Sequence, residues 1–194
     1  MTRADPDRLA VFLSGTGRTL VNLAAVIDRG ELHAEIGLVV ASRACEGIGR
    51  AETLGIPVRL IEGEIEPGAL EGLLEEFSID WVVLAGYLKR LPVPTRWVGR
   101  VVNIHPALLP DFGGAGMYGD RVHRAVLEAG VPESGCTVHL CDEHYDTGPI
   151  VLQKRCPVLP GDTPRSLADR VFQVETEAYP AALRLLIERA GCGG

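Results

Sequence analysis

Asn103 and His105 are the two polar positions of an otherwise apolar run, VVNIHPALLP, at residues 101–110. Two apart on a strand, they project from one face. Pro106 biases His105 toward an extended conformation and ends the strand there. Both therefore fall at the carboxyl edge of a sheet, where open α/β folds place their ligands. A histidine titrates near neutrality and an asparagine amide donates without ionising, so the pair can stabilise an oxyanion developing on a carbonyl and manage a proton. Taken alone, His105 also fits a histidine held by one structural hydrogen bond. His33, His123, His139 and His144 have no comparable partner in sequence and are read as structural or surface residues.

Two further stretches carry polar chemistry. DEHYDTGPI, residues 142–150, sets three acids before a Thr-Gly-Pro turn. Asp and Gly are what a turn requires, so Asp146 serves as a turn former. Alternatively the loop folds back on His105, where the carboxylate orients the imidazole and raises its pKa. FLSGTGRTL, residues 12–20, sets Gly15 and Gly17 between a strand and a helix. Glycines there let backbone N–H groups approach an anion at the helix N-terminus, and a phosphate is the natural guest. A plain strand-to-helix turn capped by Thr19 fits the same residues. The third glycine of a dinucleotide fingerprint and the Gly-Lys-Ser/Thr of a P-loop are both missing.

The elements that must position these residues follow from periodicity. Runs rich in Val, Ile and Leu recur at about Arg8 to Leu13, Glu35 to Ala41, Ile56 to Ile61, Asp80 to Ala85 and Arg100 to Ile104, each followed by a stretch of helical character. Leu20 to Ile27 and Ala69 to Phe77 show helical i, i+3, i+4 spacing. The alternation predicts a single-domain, Rossmann-like α/β fold: a mostly parallel sheet with helices on both faces. Past Gly135 two strand-like runs around a turn predict a β-hairpin, and a long helix follows from about Thr163 to Arg189, opened by a capping threonine and Pro164. No repeat or linker divides residues 1–194.

The whole chain narrows the function classes. Its 194 residues suffice to bury roughly 70% of the unfolded surface. A net charge of −7 without any Lys/Arg-rich run leaves no basic field for nucleic acid, so an anionic ligand needs a local site. The longest apolar runs are too short to span a bilayer. The N-terminus holds acidic residues and only a brief apolar stretch, which predicts no signal peptide and a cytoplasmic address. Cys45, Cys136, Cys141, Cys156 and Cys192 form no CxxC pair, so neither a disulfide framework nor a zinc site is expected, and the five read as buried or incidental thiols.

With those stretches in order, the chain resembles the phosphoribosylglycinamide formyltransferases of purine synthesis, within the wider 10-formyltetrahydrofolate-dependent formyltransferase family. The resemblance runs from about Leu9 to Leu186 through SGTGRTL, VVLAGYLKRL, NIHPALLP, VHRAVLEAG, TVHL and DEHYDTGPIVLQ. It implies that Asn103, His105 and Asp146 act together in catalysis, with 10-formyltetrahydrofolate as co-substrate and no metal. It implies a phosphate contact at Gly15, Thr16, Gly17, Arg18 and Thr19, although many members have Ser-Asn in place of Arg18-Thr19. Glu175 matches the glutamate that receives the substrate amine; its neighbour one turn earlier is Phe172, where Gln or Lys is common. The implied folate pocket uses Leu88, Lys89, Arg90 and Leu91, which also fit a solvated basic turn, together with Asn103, Asp142, Glu143, His144 and Tyr145. The phosphate-binding half is thus expected at about residues 8–100 and the folate and catalytic half at about 101–190. DFGGAGMYGDRVH is longer and richer in glycine than the usual connection, and reads as a mobile flap or a surface loop. The implied partners are small-molecule substrates, with neither nucleic acid nor membrane, in a monomer or homodimer. The rival readings are a folate-hydrolysing deformylase, a transferase acting on an amino sugar nucleotide or a charged tRNA, and a non-catalytic nucleotide-binding module. The deformylases and the tRNA enzymes usually carry an extra domain, which this sequence is not expected to have. The full set of Asn103, His105 and Asp146 speaks against the binding module.

Overall fold

A computed structural model describes residues 5–191. The elements in chain order are β1 (Asp7–Leu13), α1 (Arg18–Asp28), β2 (Ala34–Ala41), α2 (Glu46–Thr53), β3 (Val58–Leu60), α3 (Pro67–Glu76), β4 (Trp81–Leu84), β5 (Val101–His105), α4 (Asp120–Ala129), β6 (Glu133–Leu140), β7 (Ile150–Pro157) and α5 (Pro164–Gly191). The strands form a seven-stranded sheet in the order β3-β2-β1-β4-β5-β6-β7. The described residues divide into two compact units. One runs up to Val102 and resumes at Leu183; the other is Asn103–Ala182. Strand β5 and helix α5 each pass from one unit to the other.

In the first unit β1 pairs in parallel with both β2 and β4, and β2 with β3. Leu9 to Leu13 of β1 are wholly buried, as a parallel strand with covered faces requires. Each of the Leu, Val and Phe side chains among them contributes about 1.5–3 kcal/mol. Leu20, Leu23 and Val26 of α1 and Leu70 and Leu74 of α3 supply the buried helix faces. The expected strand at Ile56 to Ile61 shrinks to the three residues of β3, whose side chains are half-buried or exposed. The helix expected after β4 is also missing: only a 3-10 turn, Thr95–Trp97, links β4 to β5. Pro92 and Pro94 deny the helix its N–H donors, and Gly86 and Gly99 take left-handed conformations.

In the second unit β6 and β7 form the antiparallel hairpin read from the sequence. The Thr163 hydroxyl accepts the Ser166 N–H at 3.2 Å while the Thr163 N–H donates to Ser166 Oγ at 2.9 Å, a reciprocal cap that starts α5. Leu167, Val171 and Ala178 lie along its buried stripe. Cys45, Cys136, Cys141 and Cys156 are free thiols, and Cys192 lies outside the described residues. Among the described residues no helix is long and apolar enough to cross a membrane.

Candidate active site

Asn103 and His105 end β5, His139 stands near the end of β6, and Asp146 lies in the connection from β6 to β7. The loop brings the Asp146 carboxylate to all three. Its Oδ2 lies 3.5 Å from His105 Nδ1 and accepts the Gly114 N–H at 2.9 Å. Its Oδ1 lies 3.5 Å from His139 Nε2 and 3.4 Å from Asn103 Nδ2. Asn103 Nδ2 is also 3.1 Å from His139 Nε2. His105 is 4% exposed, His139 2% and the Asp146 side chain 10%. So much polar chemistry in so little solvent holds together only because nearly every group has a partner.

Local sequence explains how the loop reaches inward. Asp142 accepts the His144 N–H at 2.8 Å and the Thr147 hydroxyl at 2.9 Å, an Asx-type turn that closes the loop on itself. Asp146 has φ +58°, a left-handed conformation that aspartate tolerates better than most residues. At Gly148 a Cβ would stand 1.9 Å from the Leu140 carbonyl oxygen, so the returning chain passes β6 only as glycine. On the opposite wall a Cβ at Gly113 would meet Leu109 Cδ2 at 2.4 Å and Asp146 Cβ at 3.3 Å. The segment after Pro106 is pinned by Thr137, whose hydroxyl donates to the Ala107 carbonyl at 2.7 Å and accepts from Leu109 N–H at 3.0 Å and Gln153 Nε2 at 2.9 Å. That exhausts the hydroxyl's one donor and two acceptor sites.

His105 Nε2 lies 2.8 Å from the Phe112 carbonyl oxygen. A carbonyl only accepts, so Nε2 carries the proton, and in the neutral ring Nδ1 faces Asp146 bare. Burial pushes the His105 pKa down, and this outweighs the upward pull of Asp146 and of the Phe112 carbonyl. The sequence reading expected the carboxylate to leave His105 raised. The pull has the expected sign, but desolvation of the imidazolium is larger. For Asp146 burial pushes upward, yet the neighbouring His139 and His105 rings and the Gly114 N–H together hold it below the ordinary carboxylate value. Burial, with Asp146 and Asp142 adding to it, pushes the Cys141 thiol up to about 12, which removes it as a nucleophile.

The sequence reading left His139 among the structural histidines; the structure puts it in the cluster. The available signals were a histidine in the buried run of a strand, too common to single out, and its place in the TVHL stretch of the resemblance. Phe112 and Gly114 contribute backbone atoms, which side-chain types do not reveal.

The other expected site residues fall as follows. Gly17, at φ +74°, is the N-cap of α1 and no side chain caps the helix; Thr19 is inside the first turn, so its expected capping role is not realised. Side chains are also excluded at Gly17 by Gly47, whose Cα would be 2.8 Å from a Cβ there. Gly15 binds the same region through its carbonyl, which accepts the Gly47 N–H at 3.1 Å. Thr16 and Arg18 are exposed and Thr19 half-buried. Within the same unit, Leu88, Lys89 and Arg90 are exposed and Leu91 is buried. Ser14 holds that segment, with Oγ accepting the Leu88 N–H at 2.9 Å and meeting Ser42 Oγ at 2.6 Å. In the second unit Asp142, Glu143, His144 and Tyr145 are exposed, while Glu175 on α5 is half-buried, near enough to Cys136 for its charge to raise that thiol. Among the described residues no group of three or more His, Cys, Asp or Glu could hold a metal ion.

Comparison with known proteins adds an independent line. The formyl transferase family model matches residues 7–183. The chain is 41% identical over 190 residues to the chloroplastic phosphoribosylglycinamide formyltransferase of Vigna unguiculata, covering 93% of this chain and 61% of that one. It is 42% identical over 192 residues to the trifunctional purine biosynthetic protein adenosine-3 of Gallus gallus, covering 94% of this chain but 19% of that protein. The chain thus spans under two thirds of the first and about a fifth of the second. Among solved structures, glycinamide ribonucleotide transformylase 1 from Symbiobacterium toebii superposes with a TM-score of 0.87 at 34% identity, covering 96% of this chain and 90% of that one. The matched region includes Asn103, His105, His139 and Asp146, and the chain belongs to the formyl transferase family.

Proposed function

We propose that the protein transfers a formyl group from 10-formyltetrahydrofolate to the amine of N1-(5-phosphoribosyl)glycinamide, in the synthesis of purines. One observation carries the reading: in a chain 41% identical to a phosphoribosylglycinamide formyltransferase, the Asp146 carboxylate sits against Asn103 and Nδ1 of His105. In the reaction the glycinamide nitrogen attacks the formyl carbon, the bond from that carbon to the folate nitrogen breaks, and one proton passes from the attacking to the departing nitrogen. Asn103 donates an N–H to the oxygen that gains charge at the tetrahedral stage. His105, neutral in the empty site, takes the released proton at Nδ1, where Asp146 stabilises the resulting imidazolium, and the pair returns it to the leaving nitrogen.

In this reading Gly15 to Thr19 receive the ribonucleotide phosphate, Leu88 to Leu91 and Asp142 to Tyr145 line the folate pocket, and Glu175 receives the substrate amine. The substrates are small molecules, used in the cytoplasm. The test mixes the protein with 10-formyltetrahydrofolate, with and without glycinamide ribonucleotide, and follows the folate absorbance. A change that requires the acceptor is expected. A change of equal rate without it makes the protein a deformylase, and no change in either mixture makes it a binding module.

A further inference from the structure

Both ring nitrogens of His139 have a partner, and the two partners fix how its proton is placed. Nδ1 lies 3.0 Å from the Leu140 carbonyl oxygen, which can only accept, so Nδ1 carries the ring proton. In the neutral ring Nε2 is then an obligatory acceptor. The group 3.1 Å away is Asn103 Nδ2. If the Asn103 amide were turned over, its oxygen would face the lone pair of Nε2 and the Asp146 carboxylate at once. Two acceptor–acceptor contacts in a site this buried are far costlier than the two hydrogen bonds of the observed orientation.

We propose that His139 is a positioning residue: its Nδ1–H tautomer, set by the Leu140 carbonyl, holds one amide hydrogen of Asn103 and thereby aims the second at the reacting oxygen. The two bonds are unequal in the way this requires. The amide lies 3.1 Å from His139 but 3.4 Å from Asp146. The longer contact is the one given up when a more charged acceptor forms on the substrate. His139 therefore acts on turnover only through Asn103. The proposal rests on the formyl-transfer reading for its kinetic consequence, though not for its hydrogen-bond geometry.

The test compares His139→Leu and His139→Gln, each in the parent chain and combined with Asn103→Ala. The Gln amide reaches the place of Nε2 and offers an oxygen to Asn103; Leu offers nothing. His139→Leu should lower kcat by about 10- to 100-fold, since a misaimed group costs of that order, and leave KM unchanged. His139→Gln should recover most of the loss. In the Asn103→Ala background His139→Leu should cost nothing further, the mark of two residues acting as one. Equal loss in both backgrounds, or a Gln variant that melts like the parent yet is as slow as Leu, overturns the proposal. Nitrogen-15 NMR gives a readout that needs no turnover: the His139 ring should be protonated at Nδ1, with the Asn103 amide protons slow to exchange in the parent and the Gln variant and fast in the Leu variant. A ring protonated at Nε2 instead refutes the positioning role whatever the rates. Absence of formyl transfer by the parent chain refutes the proposed reaction and leaves the NMR result standing.

Discussion

The turn between β1 and α1 and the cluster around Asp146 are both small polar regions at strand ends, but they are built from different materials. The turn is almost all backbone: Gly17 caps α1 without help from a side chain, and its close approach to Gly47 is specified by the absence of a Cβ. The cluster is almost all side chain, with Asn103, His105, His139 and Asp146 setting one another's charge and orientation out of water. The first region is steric in its requirements. The second is electrostatic: burial decides the direction of the His105 shift, and the surrounding partners decide that of Asp146.

The contrast can be broken most forcefully at Asp146. Asp146→Asn keeps size and turn-forming ability, so it should reduce turnover by about 100- to 10,000-fold with little change in melting temperature. Burial already holds His105 below the ordinary histidine value of about 6.5, and the carboxylate opposes burial. Removing it should therefore move the His105 midpoint further down, as an NMR titration would report. An unmoved midpoint would mean that the 3.5 Å contact carries no electrostatic weight and that Asp146 only shapes its loop.

The turn offers a pair of smaller effects that sharpen the steric side. Gly17→Ala forces a side chain into a left-handed backbone position and onto Gly47, and should destabilise the fold by about 1–3 kcal/mol. At Gly15 nothing lies within 4 Å of an added Cβ. Gly15→Ala should then leave thermal unfolding alone while raising KM for the phosphorylated substrate, if the backbone of the turn receives that phosphate. Equal KM values for Gly15→Ala and the parent would move the phosphate elsewhere.

The smallest effect concerns an ion pair remote from turnover. Arg170 donates to both oxygens of Asp162, at 2.5 and 2.9 Å, and chiefly for this reason the Asp162 carboxyl is held below the ordinary carboxylate range. A depressed acid contributes stability above its unfolded pKa, about 3.9, and loses it as pH falls toward the folded value. Arg170→Ala should lower Tm by about 2–4 °C near neutrality, and the gap from the parent should close in strong acid. A gap that persists undiminished at low pH would assign the loss to packing of the arginine stem.

Which parts of the molecule were legible in the sequence follows from what each part is made of. Asn103 and His105 stood out because two polar residues in an apolar strand before a proline demand a reason. The β-hairpin, the long helix and its Thr163-Pro164 start were readable because periodicity and capping chemistry are local. Asp146 could be assigned beside His105 only by resemblance, since a loop's path depends on glycines and turns acting together. His139 was passed over because nothing local distinguishes a buried histidine that meets an asparagine from one that does not. The missing helix after β4 could have been anticipated from Pro92 and Pro94. The direction of the His105 shift could not, because it weighs a neighbour's charge against burial, and burial belongs to the folded chain.

The loop from β6 to β7 has a consequence for how such a protein can change over generations. Asp142 and Gly148 are fixed posts: one closes the turn through His144 and Thr147, the other passes too near Leu140 to bear a side chain. Glu143, His144 and Tyr145 between them are exposed, and the His144 backbone N–H that closes the turn is a donor every residue but proline supplies. Any substitution here that keeps a residue other than proline at position 144 therefore leaves Asp146 in register with His105, so the lining proposed for the folate pocket can be retuned without moving the carboxylate. One loop thus carries both a wall that can be retuned and a carboxylate that its two posts hold in place.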